Sequence, residues 1–387
     1  MRFTPQDEQF RADVRDWLDA NLTGEFAGLR GAGGPGREHE RHDERLAWNR
    51  HLAAAGWTCL GWPTEHGGRG ASLIQQVIFY EEYARADAPA RVSIVGEELL
   101  GPTLIAFGTP DQHERFLPPI RAVRELWCQG YSEPGAGSDL ASVATRAGLV
   151  KGGGEVGGDW VINGQKIWTS LAHLADWCFV LARTEAGSRR GSGLSYLLVP
   201  MDQPGITVRP IRQMTGTAEF NEVFFDDART PAANVVGAPG DGWRVAKATL
   251  AIERGAAMLG QQVGFRRDVE DLAEAARRSG ASGNPLIRDQ LARAWTGLHL
   301  IRCYALDTLG ADDPARASVL KVLWSRWHRD LGELAMHITG GIAAPGSPDL
   351  DRWQRLFLFS RAETIYGGSD EIQHEIIATR ALGLPRS

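Results

Sequence analysis

Lysine is almost missing from this chain. Only Lys151, Lys166, Lys247 and Lys321 occur in 387 residues, so arginine carries nearly all the positive charge. A compositional bias of that kind says little about function, yet it singles out Lys166, which lies inside a motif. With a net charge of −6, the basic surface of a nucleic-acid binder is not expected. No apolar run approaches the roughly 18 residues of a membrane span. Cys59, Cys128, Cys178 and Cys303 are scattered without CxxC or paired spacing, which suggests neither a disulfide framework nor a zinc site. The histidines form no H-x-x-x-H or Cys/His cluster, and no metal is expected. The first residues are acidic and amphipathic, unlike a signal peptide, so a cytoplasmic location is expected.

What is present reads as an ordinary globular chain, long enough for two or three domains with sizeable cores. Thr4-Pro5 is a helix start, a capping hydroxyl followed by proline at the first helical position. Helical patterns continue over Glu38–Ala55, Ser72–Ala86, Val95–Phe107 and Pro110–Leu117. Near Glu125 the period changes. Short alternating segments follow at Trp160–Ile162, Trp177–Ala182, Ser195–Pro200, Ile206–Ile211 and Glu222–Asp226, separated by Gly, Pro and Asp clusters. The run Lys151–Gly158 reads as a loop between strands. From Gly242 long helical patterns return, covering Gly242–Arg278, Pro285–Leu309 and Asp313–Ile338, then Leu350–Glu363 and Asp370–Leu382. The acidic stretch Asp268–Glu274 reads as a solvated face. The fold class is therefore α+β: an N-terminal helical domain (1–122), a middle antiparallel β domain (123–235) and a C-terminal four-helix bundle (236–387).

Two stretches carry the chemistry. Cys128-Gln-Gly-Tyr-Ser-Glu-Pro-Gly-Ala-Gly-Ser-Asp139 surrounds small polar side chains with backbone-permissive glycines and one proline, giving a shaped, non-helical surface. Asn163-Gly-Gln-Lys-Ile-Trp-Thr-Ser170 opens on Asn-Gly, the strongest short hairpin-turn signal, and then alternates apolar and polar residues. In order and separation the two resemble the flavin-binding segments of the acyl-CoA dehydrogenase family, which read T/S-E-P-G-A-G-S-D and N-G-x-K-x-W-x-T/S. Ile365-Tyr-Gly-Gly-Ser-Asp-Glu-Ile-Gln373 is similar to a third family motif. The resemblance spans essentially the whole chain.

The resemblance implies FAD as cofactor and α,β-desaturation of an acyl-CoA thioester, with a carboxylate taking the α-proton and a β-hydride passing to flavin N5. That proton is weakly acidic. A carboxylate must be held within reach of it, and donors must meet the thioester oxygen where negative charge develops. The flavin residues implied are Gln129, Tyr131 and Ser132 along the isoalloxazine edge, with Trp168, Thr169 and Ser170 over the ring. Gly340, Gly341 and Ser369 are implied as further cofactor contacts. Ser138, Tyr366 and Gly367 correspond to positions near the substrate, and Gln373 to one that steadies a helix start.

Many family members carry their base in Tyr-Glu-Gly-Thr; here Tyr366-Gly-Gly-Ser369 puts Gly367 in its place. A smaller branch of the family carries the base on the helix after the β domain in a Leu-Glu-Arg context. Leu250-Ala-Ile-Glu-Arg-Gly-Ala-Ala-Met258 matches it, so the base implied is Glu253, beside Arg254. The small residues that follow suggest a branched, cyclic or bulky acyl group. The family's Arg-x-x-Phe for the pyrophosphate is not found around Ser279–Pro285. The implied partners are electron-transferring flavoprotein and further subunits, as a homodimer or homotetramer. Two alternatives stand beside this reading. One is a non-catalytic or half-site subunit of a heterotetramer; the other is a flavin oxidase or monooxygenase on the same fold.

Overall fold

The structure is a computed structural model, and it describes residues 3–151, 157–252, 257–309, 313–340 and 348–385. Five helices come first: α1 (Pro5–Asn21), α2 (His42–Ala54), α3 (Leu73–Arg85), α4 (Gly101–Phe107) and α5 (Pro110–Arg121). Eight strands follow: β1 (Trp127–Gly130), β2 (Arg146–Val150), β3 (Asp159–Ser170), β4 (Trp177–Arg183), β5 (Leu194–Pro200), β6 (Ile206–Ile211), β7 (Phe220–Pro231) and β8 (Val235–Val236). The rest is helical: α6 (Gly242–Ile252), α7 (Ala257–Arg278), α8 (Pro285–Thr308), α9 (Pro314–Ile338), α10 (Pro348–Glu363) and α11 (Asp370–Ile376). N-terminal helices, a middle β sheet and C-terminal helices are the expected architecture.

Local chemistry sets the helix starts. The Thr4 hydroxyl accepts from Asp7 N while the Asp7 carboxylate takes Thr4 N, a reciprocal cap that satisfies two otherwise orphaned donors. Thr109 and Gln112 do the same for α5. Asn284-Pro285 and Asp313-Pro314 start α8 and α9 with a capping side chain followed by proline.

Packing groups the described residues into two compact units. One holds α2, α4, α5, α6 and the sheet, whose strands run in the order β6-β7-β3-β2-β4-β5-β8, with β1 joined to β4. β4 and β5 are buried along nearly their whole length, which explains their continuous apolar sequence. Most pairings are antiparallel as expected, but β1 and β2 meet β4 in parallel. The sequence patterns also miss β1 and β2, whose Gly and polar residues break the alternation.

Asn163-Gly164 corrects the turn reading. The pair lies inside β3, a strand of 12 residues, and makes no hairpin. Gly164 sits at a register shift between β3 and β7 with φ +151, and an added Cβ would lie 2.6 Å from Thr145 Oγ1. Glycine is therefore required there by a bulge and a close neighbour.

The other unit gathers α1, α3 and α7–α11. Its core joins Val77 of α3 with Phe265, Leu272, Leu298, Trp324 and Trp353. The buried carboxylates of Glu81 and Glu82 on α3 are held by arginines from α1, α3 and α8: Arg11, Arg15, Arg85 and Arg302. The acidic stretch on α7 is not a purely solvated face. Arg352 of α10 reaches both Asp268 (2.8 Å) and Asp271 (2.7 Å), so part of it ties two helices together.

Candidate functional site

The site is built on β3. Between Lys166 and Thr169 the pairing with β7 slips, and Trp168 takes a left-handed backbone, φ +61. Bulky residues adopt that conformation only when the surrounding structure imposes it, and bulges of this kind re-aim side chains. Here the bulge turns the Trp168 indole outward, 56% exposed, against the edge of Phe220. Thr169 beside it is fully buried. Its hydroxyl has no hydrogen-bond partner among the described residues. Asn221 of β7, also buried, donates from Nδ2 to the Thr169 carbonyl at 3.0 Å. Ser170 follows, half-buried and paired with Phe220.

The first motif lies directly against this strand. Gln129 is half-buried on β1, opposite Phe179 of β4. The Tyr131 ring packs into the core edge-on to Phe179 and Tyr196. Ile167 N donates to the Ser132 carbonyl at 2.9 Å, and Lys166 Nζ donates to the Tyr131 carbonyl at 3.0 Å. The two motifs, read separately in the sequence, are thus one hydrogen-bonded surface carrying Gln129, Tyr131, Ser132, Trp168, Thr169 and Ser170. Ser138 sits exposed in the turn that follows.

Two residues not singled out in the sequence matter here. Glu133 accepts from Lys166 Nζ (2.8 Å), Ala144 N (2.6 Å) and Thr145 N (2.9 Å). Burial alone would raise its carboxyl, but the Lys166 charge and these hydrogen bonds hold it below the ordinary value. Burial pushes Lys166 down to about 8 against the pull of Glu133. The second is Asn221, which anchors the strand at Thr169. The scarcity of lysine singles out only Lys166, the partner of Glu133; no sequence signal points to Asn221.

Beyond Ser170, Leu171 N donates to the Glu219 carbonyl, and the Glu219 carboxylate takes Gln213 Nε2 (2.6 Å) and faces His39 Nδ1 (3.0 Å). Glu38 lies close to it. Its own burial, with Glu219 adding like charge, pushes Glu38 up to about 7.

The other described sequence-derived residues belong to the helical unit. Ser369 caps α11, accepting from Ile372 N, and the preceding Gly367 (φ +64) and Gly368 (φ +89) form a left-handed turn. Gln373 Nε2 donates to the carbonyls of both glycines, so it does steady the helix start. Tyr366 is exposed, with an aromatic contact to Phe359. Gly340 follows α9 with φ +78. Glu253, Arg254 and Gly341 lie outside the described residues. Among the described residues no group of His, Cys, Asp and Glu could hold a metal, and no helix is long and apolar enough to cross a membrane.

Comparison with known proteins shows the family. The family models for the acyl-CoA dehydrogenase N-terminal, middle and C-terminal domains match residues 4–123, 128–228 and 240–382. The chain belongs to the acyl-CoA dehydrogenase family. It is 66% identical over 385 residues to acyl-CoA dehydrogenase IpdE1 of Mycobacterium tuberculosis, covering 98% of each chain. Among solved structures it is similar to the Tcur3481-Tcur3483 steroid ACAD, with TM-score 0.84 and 30% identity over 100% of this chain and 99% of that one. The ChsE4-ChsE5 complex from Mycobacterium tuberculosis matches at TM-score 0.82 and 29% identity, over 100% of both chains. The family's enzymes are FAD-dependent oxidoreductases acting on acyl-CoA, and this chain is one of them. The β3 surface fits a flavin: the exposed Trp168 indole stands next to the half-buried Ser170, an apolar face with a polar neighbour of the kind a flat, polar aromatic group matches.

Proposed function

We propose that this chain desaturates the Cα–Cβ bond of a bulky acyl-CoA thioester, with Glu253 as the base. The observation that carries the reading is the bulge at Trp168-Thr169, which presents an indole next to the half-buried Ser170. FAD, when bound, supplies the hydride acceptor. The protein's part is to hold the ring on the surface formed by Gln129, Tyr131, Ser132, Trp168, Thr169 and Ser170, and to remove the α-proton. Gly367 has no proton acceptor, and its left-handed backbone favours glycine over glutamate, so the proton goes to the Glu253 carboxylate with Arg254 beside it. Ser138 and Tyr366 are assigned to the substrate, and Gly340, Gly341 and Ser369 to the outer parts of the cofactor. Electron-transferring flavoprotein is the assigned acceptor of the electrons. A polycyclic acyl group is the bulky class we favour, because a structural neighbour is described as a steroid ACAD. Turnover of a thioester panel tests this, with kcat/KM expected to be higher for ring-bearing acyl groups than for straight chains. Equal or reversed preference would remove the substrate assignment.

A second reading has its own support. The glycine at 367 and the two-chain names of both structural neighbours favour a heteromeric enzyme in which an unlike subunit completes the site. Purifying the chain alone separates the two: a yellow, active protein favours the homo-oligomer, and a colourless one that becomes yellow only with its partner favours the heteromer.

A further inference from the structure

Lys166 belongs to none of the roles above, yet it is a fully buried cation in the sheet unit. Its ammonium is fully buried, and its three donors go to two segments: the Tyr131 carbonyl (3.0 Å) and Glu133 Oε1 (2.8 Å) in the stretch after β1, and the Leu181 carbonyl of β4 (2.8 Å). Glu133 in turn clamps the backbone N–H groups of Ala144 and Thr145. One residue along β3, Ile167 N holds the Ser132 carbonyl. Residues 131–133 therefore cannot slide against β3 without breaking charge-assisted hydrogen bonds in a site closed to water. β1 presses on the same spot, since a Cβ at Gly130 would lie 2.9 Å from Cys178 Sγ and 3.5 Å from the Lys166 stem.

We propose that Lys166, through Glu133, is a positioning residue for the flavin, setting the register between Tyr131-Ser132 and Trp168-Thr169. The proposal rests on the reading of those two segments as the flavin surface. A buried pair that served folding alone would not need to bond the carbonyl of a cofactor-binding residue; this one spends its charge on that segment. Loss of the pair shifts the two halves of the surface relative to each other and weakens every contact made across them.

The test uses the full-length chain, stripped of FAD and retitrated, with the double variant Lys166→Met/Glu133→Gln, which removes both charges and leaves no buried ion unpaired. The apo-protein is expected to unfold within a few degrees of the unmodified chain. FAD should bind at least tenfold more weakly, and the visible band and midpoint potential of the bound flavin should shift. Unchanged affinity, spectrum and potential would overturn the proposal. Ser132→Ala and Trp168→Ala are run in parallel: if these also leave FAD binding untouched, the flavin surface itself is misassigned. If they weaken it while the double variant does not, only the positioning role fails. Should the double variant not fold, Glu133→Gln alone keeps Lys166 on its two carbonyls and is expected to weaken FAD about threefold with the same spectral shift; no shift there counts against the proposal.

Discussion

Two clusters of buried charge, one in each unit, are built differently; elsewhere in the sheet unit buried Glu97 is paired with buried Arg91. In the helical unit, Glu81 and Glu82 are shared among Arg11, Arg15, Arg85 and Arg302, of which Arg15, Arg85 and Arg302 are substantially exposed. In the sheet unit one carboxylate, Glu133, meets one fully buried lysine. A chain that uses arginine almost everywhere keeps lysine here because a compact ammonium with tetrahedral donors suits two carbonyls and a carboxylate, whereas a planar guanidinium does not. Lys321 of α9, in the helical unit, is buried as well and donates to the Glu363 carbonyl at 2.5 Å. Redundant arginines tolerate loss; a single buried lysine does not.

The sharpest way to break this contrast is to remove one cation from each cluster. Lys166→Met, which leaves Glu133 buried beside an apolar chain, should cost about 3–5 kcal/mol in urea unfolding. Arg302→Met, with Glu81 still held by Arg11 and Arg85, should cost about 1 kcal/mol or less. Equal losses would end the distinction. Exchanging the cations is the next test: Lys166→Arg should overpack against β1 and β4 and cost about 1–3 kcal/mol, while Arg302→Lys stays within about 0.5 kcal/mol.

Smaller effects sharpen the functional side. Thr169→Val removes a buried hydroxyl without a partner, so the apo-protein should gain about 1 kcal/mol in urea unfolding, whereas Ser170→Ala, at the half-buried position, should weaken FAD several-fold. A loss of stability with Thr169→Val would mean that its hydroxyl has a structural partner. Glu38 gives a pH signature. Its folded pKa of about 7 lies above the ordinary 4.5, so the native state holds the proton longer and stability falls as pH rises from about 4.5 to about 7. Glu38→Gln should flatten that slope and stabilise the chain at pH 7.5 by roughly 1 kcal/mol, the shift being discounted for partial solvent screening. An unaltered slope would place the titrating group elsewhere.

Much of this was legible in the sequence. The three motifs, the helix cap at Thr4, and the change of period near Glu125 mark the architecture because each rests on a local rule. Asn163-Gly164 misleads because the same dipeptide that closes a hairpin also suits a bulge, and only the closeness of Thr145 decides between them. Glu133 and Asn221 escape notice because their importance is a matter of contact across strands, which spacing along the chain does not encode. Gly367 was readable as a missing base; its left-handed turn adds the backbone reason for glycine there.

We propose that this chain oxidises an acyl-CoA at its own flavin surface, with Glu253 removing the proton. Anaerobic mixing of the FAD-loaded assembly with a reactive acyl-CoA should bleach the flavin band within the time of a single turnover. Glu253→Gln should remain yellow, bind the same thioester and fail to bleach. Bleaching of that variant at the unmodified rate would contradict the assignment, and the proton would have to be taken by another carboxylate.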